Sequence, residues 1–157
     1  MSDIIAYTDG ACSGNPGRGG YGLVIIDGDT EYRFSEGPFR KTTNNRMELK
    51  AFIKTLEFLS TKRNFESLSI IIRVDSKYVS DGITKWAYNW SKNNFSGRLN
   101  SDLWIQAWSL YNSFSKLKVE WVKGHHVDPL NQLADKLAVE SIYSDATEVI
   151  DHNYENA

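Results

Sequence analysis

Four acidic residues, Asp9, Glu48, Asp75 and Asp135, carry the chemical potential of this 157-residue chain. Asp9 stands at the exit of an apolar, strand-like run (residues 4–8), and Asp75 ends a second one (residues 67–74). If those strands are parallel neighbours, both carboxylates sit at one edge of a sheet. Glu48 heads an apolar helical stripe of Ala51, Phe52, Thr55, Leu56 and Leu59. Asp135 lies in a last helix whose buried face is Leu130, Leu133, Ala134, Leu137 and Ala138. Acids that border apolar stripes point toward the sheet. Four converging carboxylates repel one another and need positive charge between them. Hard oxygen donors suit Mg²⁺ or Mn²⁺. Two such ions ~3.5–4 Å apart suit an in-line displacement at a phosphodiester, one activating water and one stabilising the leaving oxygen. Zinc fits poorly, because one Cys and an adjacent His125-His126 pair make neither a thiolate nor an imidazole cage.

Each acid alone also has an ordinary role. Asp9 suits a turn, Glu48 a capping box with Asn45, Asp75 a cap on the helix after it, and Asp135 a solvated face. A competing chemistry is written just after Asp9. Gly17-Arg18-Gly19-Gly20-Tyr21-Gly22 matches G-x-G-x-x-G, the dinucleotide-binding pattern. That pattern needs a helix directly after the glycines, so that a pyrophosphate rests on its N-terminus. Here Leu23-Val24-Ile25-Ile26 follows and Asp27-Gly28-Asp29 closes it as a hairpin turn, so the stretch reads as strand, Gly-rich loop, strand.

The elements that must position these acids follow from periodicity. Strands are expected at 4–8, 20–26 and 31–36, the last closed by Gly37-Pro38. The polar run 41–45 is a helix start. Ile70-Ile71-Ile72 suits a strand buried on both faces. A short helix is expected over 78–82, and the pairs Trp86/Trp90 and Trp104/Trp108 sit at helical spacing, which suits core packing. Residues 92–100 read as a polar loop and 119–122 as a last strand. Asp128-Pro129 is an N-cap followed by Pro at the first helical position. Hairpins first and strand–helix alternation later give an α/β domain, a mixed sheet with helices packed on it. Residues 144–157 read as a mobile acidic tail after a single domain, 1–143.

Formal net charge is −2. The tail concentrates the acids: without residues 145–157 the chain holds 18 basic and 16 acidic residues. Between Lys77 and Lys123 there are seven basic side chains and three acidic ones, a modest basic face compatible with phosphate binding. The single Cys12 excludes an internal disulfide. No run is apolar enough to span a membrane, no secretory signal is visible, and no large exposed apolar face is evident. A cytoplasmic monomer is the expectation.

The residues also match a known family. Tyr7-Thr8-Asp9-Gly10, Gly14-Asn15-Pro16-Gly17, Thr42-Thr43-Asn44-Asn45-Arg46-Met47-Glu48-Leu49, Asp75-Ser76 and Trp121-Val122-Lys123-Gly124-His125, with Asp135 ten residues on, occur in this order. Over residues 4–143 the chain resembles bacterial type 1 ribonuclease H. The resemblance implies the ribonuclease H-like fold: a five-stranded mixed sheet, three antiparallel strands plus two parallel ones, with helices on both faces. It implies an endonuclease that cuts the RNA strand of RNA/DNA hybrids and leaves 5′-phosphate and 3′-hydroxyl ends. Asp9, Glu48, Asp75 and Asp135 would hold two Mg²⁺ ions, with Mn²⁺ as a substitute. His125 would assist proton traffic or product release, whereas His126 has no matching role. Cys12, Glu48 and Ser76 would meet the RNA backbone, where the 2′-hydroxyl tells RNA from DNA. Asn15, Asn44 and Asn45 would reach the minor groove, Thr43 would hold a DNA phosphate, and Trp86 would stack on a deoxyribose.

Two departures from the family pattern stand out. The segment "WAYNWSKNNFSGRLNSDLW" is short and holds only Lys92 and Arg98, where one family member has a lysine-rich protrusion. A weaker, more salt-sensitive grip on the hybrid follows. Lys77 stands where the pattern often has Gln; it can contact a phosphate but cannot accept a hydrogen bond. The remaining alternatives are a DNA-cutting relative of the resolvase or integrase kind and a hybrid-binding module without turnover; the dinucleotide-binding oxidoreductase is rejected because no helix follows the glycines.

Overall fold

Apolar residues at every second position build the sheet. The computed structural model describes residues 4–123 and 128–156. Its strands are β1 (Ile4–Ser13), β2 (Gly17–Asp27), β3 (Thr30–Thr42), β4 (Ser69–Val74) and β5 (Lys116–Trp121). They lie in the order β3-β2-β1-β4-β5, with β1–β3 antiparallel and both β1–β4 and β4–β5 parallel. The five-stranded mixed sheet is therefore the one expected. The helices are α1 (Asn44–Leu59), α2 (Lys77–Asp81), α3 (Ala87–Ser91), α4 (Ser101–Tyr111), α5 (Pro129–Ile142) and α6 (His152–Glu155). A wide π-helical turn, Gly82–Trp86, joins α2 to α3.

Alternation along the strands separates two apolar layers. Ile4, Ala6, Leu23, Ile25, Ile70, Ile72 and Val74 pack with α1 and with Trp104 of α4 in the main core. Tyr7 and Val24, with Ile5 and Ile26, face the other way and pack on Ala134 and on Leu130, Leu133 and Leu137 of α5. Helices thus cover both faces. Glycine lets α5 come close: a Cβ on Gly22 would lie 2.6 Å from the Leu137 Cβ and 2.7 Å from the Ala134 carbonyl oxygen.

Four expectations need correction. The Gly-rich stretch is a strand, because its glycines serve helix packing. As a result β1 continues past Asp9 to Ser13, and Asp9 pairs with Gly22 inside the sheet rather than at a strand exit. β3 likewise runs through Gly37-Pro38 to Thr42. Of the paired tryptophans only Trp104 is fully enclosed; Trp86 is 44% exposed. Finally, residues 144–156 do not form a mobile tail. Val149 bridges to Phe39 at the β3 edge, its N–H bonding the Pro38 carbonyl and its carbonyl accepting from Arg40, both over 2.8 Å. Acidic side chains there find basic partners: Glu148 pairs with Arg18, Glu155 with Arg40, and the buried Asp151 with Arg46, each at 2.8 Å.

Candidate active site

The parallel register of β1 and β4 sets Thr8 beside Val74, so the next residues, Asp9 and Asp75, come level with each other. Glu48 arrives from the first turns of α1. Thr43 caps that helix, its hydroxyl accepting from the Arg46 N–H over 3.2 Å. Ser76 caps α2 in the same way through the Val79 N–H. The capping roles considered for Glu48 and Asp75 thus belong to Thr43 and Ser76, which leaves both carboxylates free of that duty. One oxygen from each of Asp9, Glu48 and Asp75 lies within 4.8 Å of the others. Asp135, exposed on α5, stands outside that group, near enough to Asp9 to help raise its carboxyl.

Electrostatics here are unfavourable for a bare protein. Asp9 and Glu48 are 4% and 5% exposed. Burial, then the charges of Glu48 and Asp75, push the Asp9 carboxyl up to about 11. Burial followed by the Asp75 charge also pushes Glu48 well above its ordinary value, and burial raises Asp75. Glu48 Oε2 and Asp75 Oδ1 are buried without a hydrogen-bond partner. Orphaned, crowded carboxylate oxygens are a donor set for hard divalent cations.

The other expected residues fall nearby in sequence and on separate elements. Asn15 and Asn44 are brought together, the Asn15 side-chain oxygen accepting from the Asn44 N–H over 3.0 Å. Cys12 is half-buried with Sγ 3.5 Å from the Thr42 carbonyl. Asn45 lies in the first turn of α1. Lys77 sits over the Trp121 ring at 5.3 Å, and the Trp121 indole N–H donates to the Asp75 carbonyl over 3.1 Å. Trp86 packs beside Trp90 at 5.9 Å. His125 and His126 lie outside the described residues.

Arg46 is the residue whose part sequence reasoning missed. It lies in the quoted motif two positions before Glu48, off the apolar stripe, yet it is buried. It donates to Asp102 at 2.7 and 2.9 Å, to Asp151 at 2.8 and 3.0 Å, and to the Asn100 side chain at 3.2 Å. Nothing local in Thr43-Asn44-Asn45-Arg46-Met47-Glu48 signals the burial of Arg46; its carboxylate partners lie 56 and 105 positions further on.

A model of the RNase H family matches residues 1–143. A Ribonuclease H of Haemophilus influenzae is 45% identical over 145 residues, which cover 88% of each chain. A Ribonuclease H of Alcanivorax borkumensis is 43% identical over 143 residues, 88% of this chain and 90% of that one. Among solved structures, LC9-RNase H1, described as a type 1 RNase H with the type 2 active-site motif, superposes with a TM-score of 0.76 at 28% identity. That match covers 98% of this chain and 79% of the other. The RNase H1 of Halobacterium salinarum, also at 28% identity, gives 0.64 and covers 91% of this chain and 98% of its own. With the acidic cluster seated where β1, β4 and α1 meet, this chain belongs to the RNase H family.

Proposed function

We propose that this protein is a divalent-metal-dependent endonuclease that hydrolyses the RNA strand of RNA/DNA hybrids, leaving 5′-phosphate and 3′-hydroxyl ends. The observation that carries the reading is the convergence of Asp9, Glu48 and Asp75 within 4.8 Å, with buried oxygens that lack partners. Named relatives at more than 40% identity support the same activity. An LC11-RNase H1 of the same fold has been solved in complex with an RNA/DNA hybrid. Asp9, Glu48, Asp75 and Asp135 would hold two Mg²⁺ ions, with Mn²⁺ as a substitute. Bound there, the metals would supply an activated water and a positive charge at the leaving oxygen.

The chain's own residues orient the substrate. The Cys12 backbone region and Ser76 meet the 2′-hydroxyls of the RNA strand, which serve as both donor and acceptor. Asn15, Asn44 and Asn45 donate to base acceptors of the minor groove with little sequence preference. The Thr43 hydroxyl still has its proton to give to a DNA phosphate while its oxygen caps α1. Lys77 offers a cation to a backbone phosphate, and Trp86 an exposed ring to a sugar. His125 would assist proton traffic or product release. No described helix is long and apolar enough to cross a membrane. We place the enzyme in the cytoplasm as a monomer, which solution scattering tests.

A labelled hybrid tests the reading. It is compared with duplex RNA, duplex DNA and single-stranded RNA, each with Mg²⁺, Mn²⁺ or chelator, using wild type and Asp9→Asn. Metal-dependent cutting of the hybrid's RNA alone, lost in Asp9→Asn, is the expected result. Cutting of duplex DNA would assign a resolvase-like activity, and binding without cutting would make this a hybrid-binding module.

A further inference from the structure

Tyr7, Arg73 and Glu120 form a row across three adjacent strands, since Tyr7 pairs with Arg73 and Arg73 with Glu120. The row lies on the α5 side of the sheet, where Tyr7 packs against Ala134. Arg73 donates to the Tyr7 hydroxyl over 2.7 Å and to Glu120 over 3.2 Å. The Tyr7 hydroxyl donates to Asp128 Oδ2 over 2.8 Å, and Arg73 stands 3.7 Å from that same oxygen. The second oxygen, Oδ1, accepts from the Leu130 N–H over 2.9 Å and so caps α5. One carboxylate therefore closes the helix and ties it to two strands.

The places of these residues give the row a direction. Tyr7 is two residues before Asp9, on the same strand face, and Arg73 is two before Asp75. Asp128 is seven before Asp135, about two helical turns, so the two lie on one side of α5. We propose that Asp128, Tyr7 and Arg73 form a positioning network that fixes α5 along its axis and so sets Asp135 against Asp9. The inference rests on the hydrolysis proposed above. The packing of α5 shows why such a tie is needed. Ala134, Leu137 and Ala138 close over Gly22 with little clearance, so any slip of α5 along its axis carries Asp135 with it. Apolar contact is non-directional, whereas a hydrogen bond specifies distance and angle.

Two substitutions cut the tie without removing its ends. Tyr7→Phe deletes one hydroxyl and keeps the buried ring. Asp128→Ser keeps a capping oxygen but is too short to reach Tyr7. Each should lower kcat on a hybrid roughly 3- to 10-fold, measured per folded protein well below its Tm, with KM changed less than about twofold. The double variant should fall no further than the worse single one, because both break one connection. Unchanged kcat in Tyr7→Phe, an effect on KM alone, or multiplicative losses in the double variant would overturn the proposal. Should the wild type cut no hybrid, the hydrolysis reading falls and the network is judged on Mg²⁺ alone. The Mg²⁺-induced rise in Tm, read without nucleic acid, should then be smaller in Tyr7→Phe than in wild type; an equal rise overturns the network as well.

Discussion

Gly10 and Glu48 meet backbone to backbone. A Cβ on Gly10 would press on the Glu48 nitrogen and lie 2.6 Å from the Met47 carbonyl carbon. This approach lets α1 bring Glu48 to the strand that carries Asp9. Gly10→Ala should therefore push the helix start away from β1. Overpacking of this kind costs about 1–3 kcal/mol, or roughly 2–4 °C of Tm per kcal/mol for a chain of this size. A displacement near 1 Å at the site should cost activity about a hundredfold. Thermal melts and hybrid cleavage, run side by side, check both. Activity close to wild type would mean that α1 can retreat without moving Glu48.

The raised carboxyls give a pH dependence with a definite sign. Asp9 sits at about 11 in the folded protein against 3.8 for the free side chain. Through that window the native state holds a proton that the unfolded chain has released, so stability falls as pH rises. In chelator, Asp9→Asn should melt higher than wild type at about pH 8, and the gap should close toward about pH 4, where the unfolded carboxyl is also protonated. Added Mg²⁺ should narrow the gap from the other side, because it stabilises only the chain that binds it. A wild-type Tm in chelator that does not fall with pH, together with no gain in Asp9→Asn, would contradict the crowding of these groups.

Asp9, Glu48 and Asp75, which the structure brings together, were legible in the sequence because each borders an apolar run. The cap at Asp128-Pro129 was legible because its signal is local. What the sequence hid is contact at long range. The partners of the acidic tail, Arg18, Arg40 and Arg46, lie 105 to 130 positions upstream of Glu148, Asp151 and Glu155, and an acidic run with no nearby base reads as solvated. Asp9 seemed to end its strand because glycines usually break strands; here they make room for α5. The Tyr7–Asp128 bond, 121 positions apart, left no trace in either local pattern.

The tail's anchor yields a stability prediction. Arg46 and Asp151 have side chains 3% and 2% exposed and are held at 2.8 Å. Burial alone would raise the Asp151 carboxyl; hydrogen bonds from Arg46 and Thr42 outweigh it, and the group sits below its ordinary value. Its contribution to stability is therefore present above the ordinary carboxyl range and is lost as pH falls through the lowered folded value. Arg46→Ala leaves Asp151 buried and unpaired and should cost about 3–5 kcal/mol. Truncation after residue 143 removes both the acid and the strand bridge, and should also destabilise. Denaturant midpoints check the set. A truncated chain as stable as the full one would show that the tail's contacts contribute nothing net.

Substrate grip should depend on few cations. Between Trp86 and Trp104, Lys92 lies over the exposed Tyr88 ring at 4.8 Å and Arg98 over the partly buried Trp90 at 5.0 Å, so both of the segment's cations are held on aromatic rings. Each phosphate they neutralise steepens the fall of log K with log salt by about 0.9. Affinity starts low with so few contacts, so binding disappears at modest salt even though the slope itself is shallow. Lys92→Ala with Arg98→Ala should flatten the slope by roughly 2 and weaken all hybrids alike, because phosphate contacts carry no sequence information. Anisotropy titrations of Asp9→Asn with labelled hybrid in chelator, across a salt series, measure this without cleavage. A slope that does not change on removal of both cations would place the phosphate contacts elsewhere, with Lys77 beside Trp121 the next to substitute.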